Sequence, residues 1–246
     1  EIASCLVGSE MCIRDRRYKK AGALINGSLD DKQKQGKNLI ISFGAQEKIH
    51  LRYGISFISE EQAKKNLERD IRTYDVQTVA SQGKKIWNKK LGKITVEGGT
   101  ENDKSVFYTS LYRTYERMIN ISEDGRYYSA FDCKVHDDNG IPFYTDDWIW
   151  DTYRATHPLR VLIEPEIECD MISSYIRMAE QTPQGWMPTF PEVTGDSHRM
   201  NGNHAIAVIW DAYSKGLTNF SLERAYEACQ KAIMEKTLLP WQKLPL

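Results

Sequence analysis

After Gly98-Gly99 the apolar residues of this chain recur at helical spacing four times over, and that repetition restricts the fold more than any single motif. Phe107, Leu111, Tyr115 and Met118 form one stripe; Ile167, Met171, Ile172, Tyr175 and Ala179 form a second. Ala205, Val208, Ile209 and Ala212 form a third, and Leu222, Ala225, Tyr226, Cys229 and Ile233 a fourth. A helix with one apolar stripe must bury it against another element, so the succession predicts a mostly α fold, a helical barrel or helical array. The loops between the stripes are long and rich in aromatic, Pro and Gly residues, and chemistry is expected there.

Upstream the pattern alternates. Ile49, Leu51, Tyr53, Ile55 and Phe57 are separated by polar residues, which predicts half-buried antiparallel strands joined through Gly44-Ala45-Gln46 to the Asn38–Phe43 run. So few strands do not make a stable sheet alone. Ser59-Glu60-Glu61-Gln62 has the form of a capping box and opens a helical segment carrying Ala63, Leu67, Ile71 and Tyr74. That segment continues to Trp87, with Lys84, Lys85, Lys89 and Lys90 on solvated faces. The predicted organisation is a β segment over residues 17–58, a helical linker over 59–97 and a helical domain over 98–246. Residues 1–16 resemble translated sequencing adapter and are set aside.

With 246 residues, 41% of them hydrophobic, the chain can bury a sizeable core. The formal net charge is −1 and no basic stripe is present, which argues against a nucleic-acid partner. No apolar run approaches the roughly 20 residues of a spanning helix. Beyond Cys5 and Cys12 in the set-aside tail, Cys133, Cys169 and Cys229 have neither zinc-like nor CxxC spacing and are expected to be packed thiols.

Two segments carry chemical potential. In Tyr144-Thr-Asp-Asp-Trp-Ile-Trp-Asp-Thr-Tyr-Arg154, after a hairpin expected around Asp137-Asp138-Asn139-Gly140, Trp148 and Trp150 offer faces for the C–H surface of a pyranose. Asp151 and Arg154 offer acceptors and donors for its hydroxyls. The alternative is a buried aromatic helix with a structural Asp151–Arg154 pair. In the loop from Gln184 to His204, Glu192 and Asp196 are the carboxyl candidates, set beside Trp186 and Phe190. Against that reading stand a solvated Glu192 and an Asp196 that merely builds the turn after Gly195. His198 and His204 are not spaced for one metal on one helical face, and Asn203-His204 is read as orienting the loop or meeting a sugar hydroxyl. Both segments are expected to face one cavity sized for a single hexose.

Trp150-Asp-Thr-Tyr-Arg154 with His157-Pro-Leu159, Gly185-Trp-Met-Pro188, Met200-Asn-Gly-Asn-His204 and Asp211-Ala-Tyr-Ser-Lys-Gly216 together resemble glycoside hydrolase family 92, the calcium-dependent exo-acting α-mannosidases. The segment from Ile49 to Leu67 is similar to the end of that family's N-terminal β-sandwich, so the likeness covers about residue 38 onward. The resemblance implies a β-sandwich followed by an (α/α)6 barrel, an oligosaccharide substrate, calcium as cofactor and a periplasmic or extracellular bacterial setting. It implies hydrolysis with inversion, which needs two carboxyls roughly 6.5–9.5 Å apart. Trp150 and Asp151 would belong to the terminal-sugar subsite, braced by Arg154. The family's proton donor is a glutamate, which counting back from Met200 places at Asp196, a shorter acid; a shifted loop would supply Glu192 instead. The catalytic base and most calcium ligands would lie beyond Leu246, in which case this chain is a catalytically silent part of a longer enzyme. Another (α/α)6 glycosidase or phosphorylase, and a non-catalytic carbohydrate-binding protein, remain as rival classes.

Overall fold

A computed structural model describes residues 21–22, 35–36, 52–200 and 202–235. The chain divides into two compact units, Glu1–Trp87 and Asn88–Leu246. In the first unit, β1 (Ala21–Gly22) pairs antiparallel with β2 (Gln35–Gly36). Most of the expected β segment over residues 17–58 lies outside the described residues. Its described end, Arg52–Ile58, is irregular and not a strand. The partners of that end come from a helix: α1 (Glu60–Asp70) sends Asn66 Nδ2 to the Ile55 carbonyl at 2.8 Å, and Arg52 donates to the Ile71 carbonyl just past it. Ser59 caps α1 by accepting from Gln62 N, as the sequence motif predicts. Gln62 then turns its side-chain amide to Asn66. A second helix, α2 (Val76–Leu91), follows, and the boundary between the units falls within it.

The second unit is mostly helical. α3 (Glu101–Arg113) starts on a complete capping box between Thr100 and Asp103. It stops before Tyr115 and Met118, so the first predicted stripe is only partly one helix face; Met118 is buried, but from the segment that follows. Four short strands come next: β3 (Ile119–Asn120), β4 (Arg126–Ser129), β5 (Lys134–Asp137) and β6 (Tyr144–Thr145). The hairpin is formed by β4 and β5 around residues 130–133. The expected hairpin at Asp137–Gly140 is instead a turn that carries the chain from β5 to β6, whose partner is β3. Asn139 and Gly140 both have positive φ there, and Asp138 accepts from Gly140 N, so the local turn chemistry was read correctly while the pairing was not.

The short helix α4 (Ile149–Thr152) leads into α5 (Thr156–Ile163) and α6 (Pro165–Glu180). Pro165 breaks the pair by forcing Glu164 out of helical geometry, to φ −145 and ψ 56. α6 is the spine, with Met171, Ile172, Tyr175, Met178 and Ala179 sealed from solvent. Past a β7–β8 hairpin (Pro191–Glu192, Gly195–Asp196) come α7 (His204–Ser214) and α8 (Leu222–Glu235). α5, α6 and α7 pack on one another and α8 packs on α6. The second and third stripes are core. The fourth is split: α8 buries Ala225, Ala228, Cys229 and Ala232, while Tyr226 and Ile233 face outward. Tyr226 borders an apolar groove of about 450 Å³ between α7 and α8, lined also by Trp210, Tyr213 and Leu222. Cys169 and Cys229 are buried free thiols, but Cys133 is exposed on the β4–β5 turn.

At the α5–α6 junction one buried carboxylate gathers three cations. Glu164 accepts from Lys90 at 2.5 Å, Lys93 at 2.9 Å and Arg160 at 3.2 Å. Arg160 also donates to the Thr114 and Arg117 carbonyls, tying the end of α3 to α5.

Candidate active-site face

The two segments singled out by sequence adjoin. The turn after β6 is seamed to the β7–β8 hairpin: Asp147 N donates to the Pro191 carbonyl at 2.9 Å, and Thr145 Oγ1 to the Glu192 carbonyl at 3.3 Å. The Trp148 ring stacks on Phe190, with centroids 5.8 Å apart and planes 19° from parallel. Arg117, from the segment after α3, places its guanidinium 3.8 Å from the centre of the same indole and ion-pairs with Asp146.

Trp148 and Trp150 are 41% and 46% exposed, which rules out the buried aromatic helix. The Asp151–Arg154 pair does not form either: Arg154 donates to its neighbour Tyr153 Oη at 2.8 Å, and Asp151 is exposed on α4. Tyr153 stacks on His204 at 4.3 Å, bringing the first residue of α7 to the end of α4. Burial lowers the His204 imidazole below its ordinary range, with Arg154 adding to the effect. Gly202 allows the approach: a Cβ there would sit 2.7 Å from the His204 ring. Asn203 stands at the N-cap of α7 without a capping side-chain bond. Trp186 turns its Nε1 to Glu235 at the end of α8, at 2.8 Å. Cavities of about 450 and 380 Å³ lie on α7–α8 and α3, while Trp148 and Trp150 keep part of their surface in solvent on the face where the two segments adjoin.

The structure separates the two carboxyl candidates. Asp196 accepts from the backbone amides of Thr189 at 2.7 Å, Phe190 at 2.9 Å and His198 at 3.0 Å. Its carboxylate is the internal brace of the hairpin, with His198 Nδ1 3.3 Å away. Glu192 keeps part of its side chain in solvent, lies 3.4 Å from Arg199 and is close enough to Asp146 to act on its charge. Burial raises the Asp146 carboxyl above its usual range, opposed by Arg117 and helped by Glu192 and Asp147.

Beneath this face lies a group that sequence reasoning missed. Asp147, His157, Glu168 and Tyr175 are each at most 2% exposed. His157 Nε2 lies 3.0 Å from Asp147 Oδ2, and its Nδ1 lies 2.8 Å from Glu168 Oε1. Tyr175 Oη donates to Asp147 Oδ2, and Thr152 Oγ1 to Asp147 Oδ1 at 2.9 Å. A ring held between two carboxylates donates from both nitrogens, so it is an imidazolium. Its one legible trace was His157, present in the motif string but without an assigned partner.

Exposed indoles flanked by carboxyl and guanidinium groups, mounted on a helical layer, are the chemistry of a carbohydrate-handling protein. Residues 62–244 match the family model described as the Glycosyl hydrolase family 92 catalytic domain, and the chain belongs to that family. It is 36% identical to the structure of an inverting mannosidase of the family from Bacteroides thetaiotaomicron, with a TM-score of 0.64 over 70% of this chain and 23% of that one. A second structure from that organism, a family GH92 α-mannosidase, is 29% identical with a TM-score of 0.68 over 74% and 24% of the two chains. A relative in Arthroderma benhamiae, an uncharacterized secreted glycosidase, is 27% identical over 75% of this chain and 20% of its own length. The chain thus spans a quarter or less of the relatives it matches. Among the described residues no helix is long and apolar enough to cross a membrane.

Proposed function

We propose that the chain forms part of an extracellular or periplasmic glycoside hydrolase that removes terminal mannose from α-mannosides of N-glycan or mannan type, with inversion. The observation that carries this reading is the seam between β6 and β7, which brings Glu192 near Asp146 and joins its hairpin to the turn that holds the exposed Trp148 on Phe190. Support comes from the family relatives, one an inverting mannosidase and another also solved in complex with mannoimidazole. In this reading Trp148 and Trp150 receive the sugar's C–H face, while Asp151, Arg154, Asn203 and His204 border its hydroxyls.

Glu192 is the proton donor of choice, since its carboxyl is accessible whereas the Asp196 oxygens already serve three amides of their own loop. The base that activates water comes from chain beyond the described residues, within a complete (α/α)6 barrel preceded by a β-sandwich. Calcium does not fit the residues in hand. Among the described residues no group of three His, Cys, Asp or Glu side chains is placed to hold a metal ion, since His157 already occupies the space between Asp147 and Glu168, and the acidic pair on the face is held by Arg117 and Arg199. On the family resemblance, the calcium ligands are assigned with the base to residues outside those described.

The test is to express the chain and assay an aryl α-mannoside with calcium, alongside calorimetric titration with mannoimidazole. The expected result is no turnover and weak binding that Trp150→Ala abolishes. EDTA-sensitive turnover by the chain alone would overturn the assignment of the base to outlying residues.

A further inference from the structure

The buried group under the face has more hardware than stability requires. An enclosed cluster of two carboxylates, an imidazolium and a phenol is seldom more stabilising than well-packed apolar residues of the same volume; what such a cluster does supply is one fixed arrangement. In this chain the fixed point is Asp147. Its side chain takes donors from α4, α5 and α6, namely Thr152, His157 and Tyr175, and its amide closes the seam to Pro191. The residue before it, Asp146, has φ 64, a left-handed conformation that a residue with a Cβ avoids unless its surroundings impose it. The residue after it is Trp148, stacked on Phe190.

We infer that His157 and Tyr175 are positioning residues of the sugar-binding face: by clamping Asp147 they hold the strained turn that sets Trp148 on Phe190 and Asp146 beside Glu192. Neither touches the face itself, and both are buried. The orientation of the acid and of the indole is thereby set from the core, through a residue that faces away from the ligand. The use of that face for mannosides rests on the function proposed above; the clamp itself does not.

Native-state amide exchange on the full 246-residue chain tests it, for His157→Gln and Tyr175→Phe. Protection of the Asp147 amide, bonded to Pro191, and of the Thr152 amide, bonded to Trp148, should fall about ten-fold to a hundred-fold, while Ile176 and Val208 in the core change by less than about three-fold. Equal loss at turn and core would reduce the cluster to ordinary structure and overturn the inference, as would unchanged protection at Asp147. Tyr175→Phe removes only a hydroxyl and keeps the question answerable if His157→Gln does not fold. No sugar enters the measurement, so failure of the clamp and failure of the mannoside reading give separate results.

Discussion

His157 Nε2 sits 3.0 Å from Asp147 Oδ2 with both side chains sealed in the core, so the ring's charge is part of the fold. Burial alone would lower the imidazole, but the charges and hydrogen bonds of Glu168 and Asp147 outweigh it and raise it to about 10. A folded value above the unfolded 6.5 stabilises fully below pH 6.5 and is lost as pH climbs toward about 10. The urea midpoint of the wild-type chain should therefore decline through that window. His157→Gln should be less stable at pH 6 and show a flatter profile between those limits; a wild-type midpoint that does not move would contradict the buried imidazolium.

Asp196→Asn should lower stability by about 1–3 kcal/mol, because an amide nitrogen would then confront one of three backbone donors. Glu192→Gln, on the same hairpin but partly exposed and ion-paired with the exposed Arg199, should stay within about 0.5 kcal/mol. Chemical denaturation of the two variants side by side separates the brace from the partly exposed acid. Comparable losses would mean that the hairpin depends on both.

Glu164→Gln removes the charge opposite the buried Arg160 side chain, whose bonds to the Thr114 and Arg117 carbonyls remain, and should cost on the order of 3 kcal/mol. Lys90 and Lys93 are partly exposed and can relax into water. Calorimetry should accordingly show a far smaller effect for Lys93→Met than for Glu164→Gln.

On α8, Ala225→Leu adds bulk to a fully buried position and should destabilise by about 1–3 kcal/mol. Tyr226→Lys, at a residue 65% exposed, should leave stability within about 0.5 kcal/mol but reduce binding of an apolar dye to the α7–α8 groove. Unfolding curves and dye fluorescence check the two halves separately.

Helical periodicity was legible where a stripe is wholly buried, as on α6 and α7, because burial of one face is what creates the pattern. It misled on α8, where Leu222 and Tyr226 keep helical spacing yet line a groove, and Ile233 keeps it yet is exposed. Spacing shows that a face is apolar, not what covers it. Trp148, Trp150 and Glu192 were readable from their neighbours in sequence. Arg117 was not, since it reaches Asp146 across 29 positions with no local pattern linking them. Asp147 was hidden for another reason: beside Asp146 the two acids look alike as letters, and only the fold sends one outward and the other under the turn.

The three amides gathered by Asp196 give side-chain length a meaning at that place. An aspartate is short enough to curl back into its own hairpin, whereas a glutamate would overshoot the amides and extend its carboxyl outward. One methylene thus decides whether the loop is self-supporting or carries a titrating group at its rim. A homologue with the longer acid must find other acceptors for those amides.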